Sequence, residues 1–140
     1  MRLIKDIDQR YHFIMDMEVR DYELDCEQIV NNAVYLHYME HTRHKFCVDA
    51  GMSFIELHNR GLDCVVSKIE IEYKAPLRGG DPFLSCLRVE RKGARFVFHQ
   101  DILRPDGAEV ASAVVSVVVV KDGKLTRGDE VAAYFRQYIG

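Results

Sequence analysis

The chain has 140 residues, 48% of them hydrophobic and 29% charged, the make-up of one globular domain long enough to bury a core. Its 22 acidic and 19 basic residues leave a formal charge of −3, which argues against a general grip on nucleic acid. No apolar run approaches the about 20 residues of a membrane-spanning helix, and the 4 cysteines (Cys26, Cys47, Cys64, Cys86) form no C-x-x-C pair of a zinc knuckle or redox motif.

Residues 1–11 read as a polar lead-in, too acidic and too broken for a signal peptide, so the expected setting is the cytoplasm with reduced thiols. Phe13, Met15, Met17 and Val19 alternate with more polar neighbours, which predicts a half-buried strand over 12–20. A polar loop follows over 21–31. Helical periodicity then runs from Asn32 to Ala50 and stops at Gly51. Wound at about 100° per residue, this helix carries Tyr35, Tyr38, Met39, Phe46 and Ala50 on one face and His37, Glu40, His41 and His44 on the other. Ser53 caps a short second helix that ends near Arg60-Gly61. Beyond Gly61 the period changes to two. Strands are predicted over 64–73, 82–91, 96–104 and 109–120, separated by Pro76 with Gly79-Gly80, by Lys92-Gly93 and by Pro105-Asp106-Gly107. Asp122-Gly123 ends the last strand, and a terminal helix is expected over 129–138. A single long apolar helix facing such a run of strands implies an α+β domain over 1–140 whose sheet curls around the helix.

Several patterns carry candidate chemistry. Asp25 stands in a polar turn just before the long helix, where unpaired N–H groups and the positive end of a dipole gather. Two readings of it stand at this point. It is a turn residue, with Asn31 or Asn32 capping the helix, or it is a carboxylate sharing that space with a polarised carbonyl. His37-Tyr38-Met39-Glu40-His41 matches the letters of a zinc-protease pattern, but its histidines fall on the face opposite the apolar stripe, as on a solvated helix. Cys26 lies between Asp25 and Glu27, a negative setting that does not suit a thiolate nucleophile. Gly79-Gly80 lacks the lysine and serine of a phosphate loop. Lys74, Arg78, Arg88, Arg91, Lys92 and Arg95 gather near strand ends, either to keep the rims soluble or to clamp a phosphorylated ligand.

In order and spacing, Val19-Arg20, Tyr22, Leu24-Asp25, Gln28, Val30-Asn31-Asn32-Ala33, Tyr35-Leu36, Glu40 and Arg43 resemble the hot-dog-fold acyl-CoA thioesterases. The resemblance is to the group containing 4-hydroxybenzoyl-CoA thioesterase and the bacterial long-chain acyl-CoA thioesterases. It continues through Ile69-Glu70-Ile71-Glu72-Tyr73 and Pro76. It implies a five-stranded antiparallel sheet wrapped around one long helix, and hydrolysis of an acyl-CoA thioester to free acid and coenzyme A. It also implies sites formed between subunits of a homodimer or homotetramer. Asp25 falls on the family's catalytic aspartate, as nucleophile or general base. The backbone N–H groups of Asn32 and Ala33 fall on its oxyanion-binding position. Gln28, Asn31 and Tyr35 are the motif's substrate-side candidates, and Arg78, Lys92 and Arg95 the candidates for the coenzyme A phosphates. No metal or cofactor is expected. Many relatives carry glycine at the position of Gln28, and some histidine at that of Asn32, so a mechanism resting on that histidine does not transfer. An acyl carrier protein thioesterase of the same fold and a non-catalytic acyl-CoA-binding protein are the alternatives.

Overall fold

Strand-forming chemistry is concentrated at the centre of the sheet. β5 (Glu109–Lys121) is rich in valine, and its branched side chains suit a pleated surface buried on both faces. The structure is a computed structural model that describes residues 4–140. In it β5 pairs on one side with β4 (Arg95–Leu103) and on the other with β2 (Leu62–Tyr73), both antiparallel. β3 (Pro82–Lys92) continues outward from β4, and β1 (Phe13–Glu18) closes that side. The order β1-β3-β4-β5-β2 makes a five-stranded path, to which a two-residue strand, β6 (Lys124–Leu125), adds a hairpin on β5. β1 and β2 are therefore the edges of that path. β2 departs from regular pairing once, at a bulge between Val66 and Lys68.

The long helix α2 (Asn32–Asp49) lies in the curl of this sheet. Tyr35, Tyr38, Met39 and Phe46 are buried, as the helical wheel predicts, and His37, Glu40, His41 and His44 are exposed. The buried face is wider than the apolar stripe, because Thr42 and Arg43 are buried too. Thr42 stays satisfied by donating back to the Tyr38 carbonyl at 2.8 Å and by a 2.6 Å contact to Ser85. Phe46 is the hub of the packing, with Phe13, Phe98, Phe135 and Tyr138 all within ring contact.

Three expectations need correction. Part of the lead-in is structured: α1 (Ile7–Arg10) buries Ile7, and with Tyr11 it packs on Leu84, Cys86 and Leu103 on the face of the sheet turned away from α2. Residues 1–3 lie outside the described residues. The terminal helix is broken into α4 (Asp129–Ala132), a 3₁₀ turn at Ala133–Phe135 and α5 (Arg136–Ile139). The break lets Phe135 turn inward against Phe46 and Phe96. β6 is an addition that its two residues gave no periodicity to reveal. The short helix α3 (Phe54–Asn59) is capped by Ser53 as expected, through the Glu56 N–H at 3.3 Å.

Candidate active site

The loop between β1 and α2 is held from behind by a buried carboxylate. After a 3₁₀ turn at Asp21–Glu23, Glu23 accepts from the Arg20 backbone N–H at 2.7 Å and from the Tyr38 hydroxyl at 2.8 Å. Burial, and then the Glu23 carboxylate, push the Tyr38 pKa far above its ordinary value, so the phenol remains a donor. No sequence pattern marked Glu23; its signal is a polar residue fifteen positions before a tyrosine of the apolar stripe.

From Glu23 the chain makes a small hairpin. Leu24 pairs with Val30, and Ile29 bridges to Arg78. At its tip the Asp25 carbonyl accepts the Gln28 N–H at 3.0 Å, and Gln28 sits at φ 62°, a left-handed conformation that favours glycine. Gln28 is exposed and does not line the cleft described next.

Asp25 is half-buried, and its two oxygens have different surroundings. Oδ1 accepts the Glu27 N–H at 2.8 Å and the Ile29 N–H at 3.4 Å, which fixes the side chain. Oδ2 has no hydrogen-bond partner among the described residues. Both sequence readings of Asp25 are thus compatible with one side chain, since one oxygen builds the turn and the other is left available.

The start of α2 follows seven residues later. Asn31 is the cap and accepts the Ala33 N–H at 2.8 Å. Of the two N–H groups expected at the oxyanion position, that of Ala33 is occupied by the cap, and that of Asn32 has no partner among the described residues. The Asn31 Oδ1 is therefore engaged in the cap. Tyr73, at the end of the edge strand β2, donates its hydroxyl to the Asn32 carbonyl at 2.8 Å and ties that strand to the first turn of the helix.

Asp25, Val30, Asn32, Tyr35, Tyr73 and Lys74 border one cleft of about 370 Å³, with Pro76 on its rim. Tyr35 is buried, stands edge-on to Tyr73 at 5.6 Å, and accepts the Leu77 N–H at 3.1 Å. It therefore shapes the wall and positions the Pro76–Leu77 backbone. Lys74, paired with Glu109 at 2.6 Å, is the cation that borders the cleft. Arg104 stands behind it, bonded to the Pro76 carbonyl and to Asp81. Lys74 is one of the strand-end cations that the sequence singles out, whereas Arg104 is not. Arg78 is exposed beside Ile29, its backbone held by Asp81. Lys92 and Arg95 face one another across the β3–β4 turn, at the opposite end of the sheet from Tyr73. One copy of the chain does not bring them to Asp25.

The histidine pattern on α2 runs along its exposed face, where Glu40 and His44 approach to 4.0 Å. Among the described residues, no three His, Cys, Asp or Glu side chains are grouped to hold a metal ion.

A carboxylate oxygen and an unpaired helix-start N–H on the same cleft are the elements of acyl transfer: one group to attack or to draw a proton, and one to meet the developing oxyanion. Comparison with known proteins finds thioesterases. A chloroplastic acyl-acyl carrier protein thioesterase of Arabidopsis thaliana, ATL3, is 33% identical over 111 residues, covering 79% of this chain and 58% of the relative, so the chain spans less than two thirds of that protein. The long-chain acyl-CoA thioesterase FadM of Escherichia coli (strain K12) is 31% identical over 107 residues, covering 74% of this chain and 80% of the relative. The crystal structure of a hypothetical protein from Aquifex aeolicus superposes with a TM-score of 0.80 at 31% identity, over 87% of this chain and 98% of that one. Residues 19–135 match the family described as the Thioesterase-like superfamily, and the chain belongs to it, with the curled antiparallel sheet and central helix of the hot-dog fold.

Proposed function

We propose that this protein hydrolyses an acyl-CoA thioester to a free acid and coenzyme A, with Asp25 as the reacting carboxylate. The observation that carries this is the shared cleft, with Asp25 on one wall and the unpaired Asn32 N–H on another. Asp25 attacks the thioester carbonyl or takes a proton from the water that does so. In the first case the sulfur leaves with a proton from solvent and water then cleaves the mixed anhydride; in the second, water adds directly, its proton passes to Asp25, and the adduct collapses with the C–S bond breaking and that proton going to the departing sulfur. The Asn32 N–H, at the positive end of α2, receives the oxyanion. Lys74 and Arg78 are the near cations for the phosphates of coenzyme A.

The working form is a homodimer joined along β2. That edge strand has twelve residues, and Val65, Val66, Ile69 and Tyr73 on it are 40–45% exposed, a long unprotected edge that a second copy would pair. Antiparallel pairing about a two-fold axis sets the Tyr73 end of one copy beside the Leu62 end of the other. Arg95 pairs with Val118, which also faces Val65. A dimer would therefore carry Lys92 and Arg95 toward the partner's cleft, where they serve the partner's coenzyme A.

The likeness to a carrier-protein thioesterase favours a second reading, in which the acyl group arrives on acyl carrier protein. Turnover of the same acyl group on both carriers separates the two. The test of the common core is Asp25→Asn. Loss of thiol release from acyl-CoA, with folding intact, is the expected result, and wild-type turnover in the variant overturns the assignment.

A further inference from the structure

Glu23 is only 7% exposed, and its carboxylate is met chiefly by neutral donors. Oε1 accepts from both the Arg20 backbone N–H and the Tyr38 hydroxyl, at 2.7 and 2.8 Å. Among the described residues the one cation within ion-pair distance is the Arg20 guanidinium, at 3.4 Å, on a side chain that is 57% exposed, where solvent screens the pair. A buried carboxylate held in this way is costly, and apolar side chains of similar volume often pack as well or better. Fold stability is therefore a poor account of why a carboxylate stands here.

The backbone of the same residue makes a second tie. The Glu23 carbonyl accepts the Asn31 N–H at 3.0 Å and closes the base of the hairpin that carries Asp25. Inside that base, Leu24 pairs with Val30, and the Asp25 N–H donates to the Ile29 carbonyl at 2.8 Å. Asn31 in turn caps α2, so this tie joins the hairpin to the first turn of the helix. The side-chain tie lands on Tyr38, seven residues further along, a rise of about 10 Å. Tyr38 is a firm anchor, with its ring 4.7 Å from that of Phe83 and edge-on to Tyr35 at 6.0 Å. A single tie would let the hairpin swing about Asn31. The second, two turns away, removes that freedom.

We infer that Glu23 is a positioning residue, which sets the gap between the Asp25 carboxylate and the Asn32 N–H. It stands two residues before the first and holds the neighbour of the second. Glu23 does not border the cleft, so it acts through the hairpin and the cap. Its kinetic consequence rests on the hydrolytic reading above; its hold on the hairpin does not.

The test is steady-state hydrolysis of octanoyl-CoA and palmitoyl-CoA by the full-length protein and its variants. Glu23→Ala is expected to lower kcat by on the order of 10²-fold, the cost of about 1 Å of misplacement, with KM nearly unchanged. Glu23→Gln, which keeps an acceptor oxygen for Arg20 and Tyr38, is expected to recover most of that loss. In an Asp25→Asn background Glu23→Ala is expected to add little, because both changes act on one step. Wild-type kcat in Glu23→Ala, a change in KM alone, no recovery in Glu23→Gln, or full additivity with Asp25→Asn each overturns the proposal. Tyr38→Phe cuts the side-chain tie at its other end and keeps the ring, so it decides the matter even if Glu23→Ala does not fold. A several-fold fall in kcat at constant KM is expected from it, and wild-type kcat overturns the proposal. Amide hydrogen exchange needs no turnover. The Asn31 N–H is expected to exchange several-fold faster in Tyr38→Phe than in the wild type, with the β5 amides unchanged, and equal exchange overturns the hold on the hairpin. Faster exchange in a protein that releases no thiol would sink the hydrolytic reading alone.

Discussion

Two charged side chains, Asp25 before the start of α2 and Arg43 in its second half, are held in opposite ways. Asp25 lies on a loop outside the helix, half-buried, fixed through one oxygen by backbone N–H groups and free at the other. Arg43 lies within the helix, nearly buried, and is fixed by a side-chain amide that is itself fixed by the helix backbone. A reacting group needs an unengaged atom, access for water and a neighbouring dipole, which a turn at a helix start supplies. A nearly buried cation needs neighbours that hold it without a counter-charge, which the Gln100 amide, itself tied to the helix backbone, supplies.

Substitutions at the two ends should therefore separate chemistry from packing. The largest effect is expected at Asp25: replacing it with Asn should lower kcat for thioester hydrolysis by on the order of 10³-fold or more, with the melting temperature little changed. Phe46→Ala should do the reverse. It removes a fully buried ring that touches four other aromatic rings, at a cost of about 3–5 kcal/mol in denaturant unfolding, while activity per folded molecule falls far less. If Phe46→Ala abolishes turnover in the folded fraction, the two ends are coupled and the contrast fails.

Smaller changes at the helix start sharpen it. Asn31→Ala removes the cap and should cost about 1 kcal/mol of stability, but it also frees the Ala33 N–H beside that of Asn32. Its kcat should thus fall less than the stability loss suggests, which steady-state kinetics and thermal melting measure together. Tyr73→Phe deletes the hydroxyl that holds the Asn32 carbonyl. A drop in kcat of several-fold with KM nearly constant is expected, matching one hydrogen bond of about 1 kcal/mol. A rise in KM alone would make Tyr73 a substrate contact instead. The smallest effect belongs to Gln28→Gly, which relieves the left-handed strain at φ 62°. Its activity should stay near wild type; a large loss would assign a side-chain role to Gln28.

Much of this was legible before any tertiary information. The strands, the long helix and its buried tyrosines follow from period-two and helical spacing, whereas Asp25 stands out from a plain turn residue only through the family resemblance of the residues around it. What was not legible turns on contacts between distant residues. Glu23 and Tyr38 meet across fifteen positions, and Tyr73 reaches Asn32 across forty-one. The cations were chosen by charge and by nearness to strand ends, which does not say which end of the sheet a turn occupies. Lys92 and Arg95 therefore fell at the far end, while Lys74 stood on the cleft.

By itself the sequence determined the kinds of element, the turn that carries Asp25 and the capped start of α2, because spacing, capping and turn preference act over a few residues. The tertiary structure decided which N–H at the helix start is left unpaired. It also decided that Arg43, a cation on a helix with an apolar stripe, is buried against Gln100. Burial and hydrogen-bond satisfaction depend on what the rest of the chain packs against each atom.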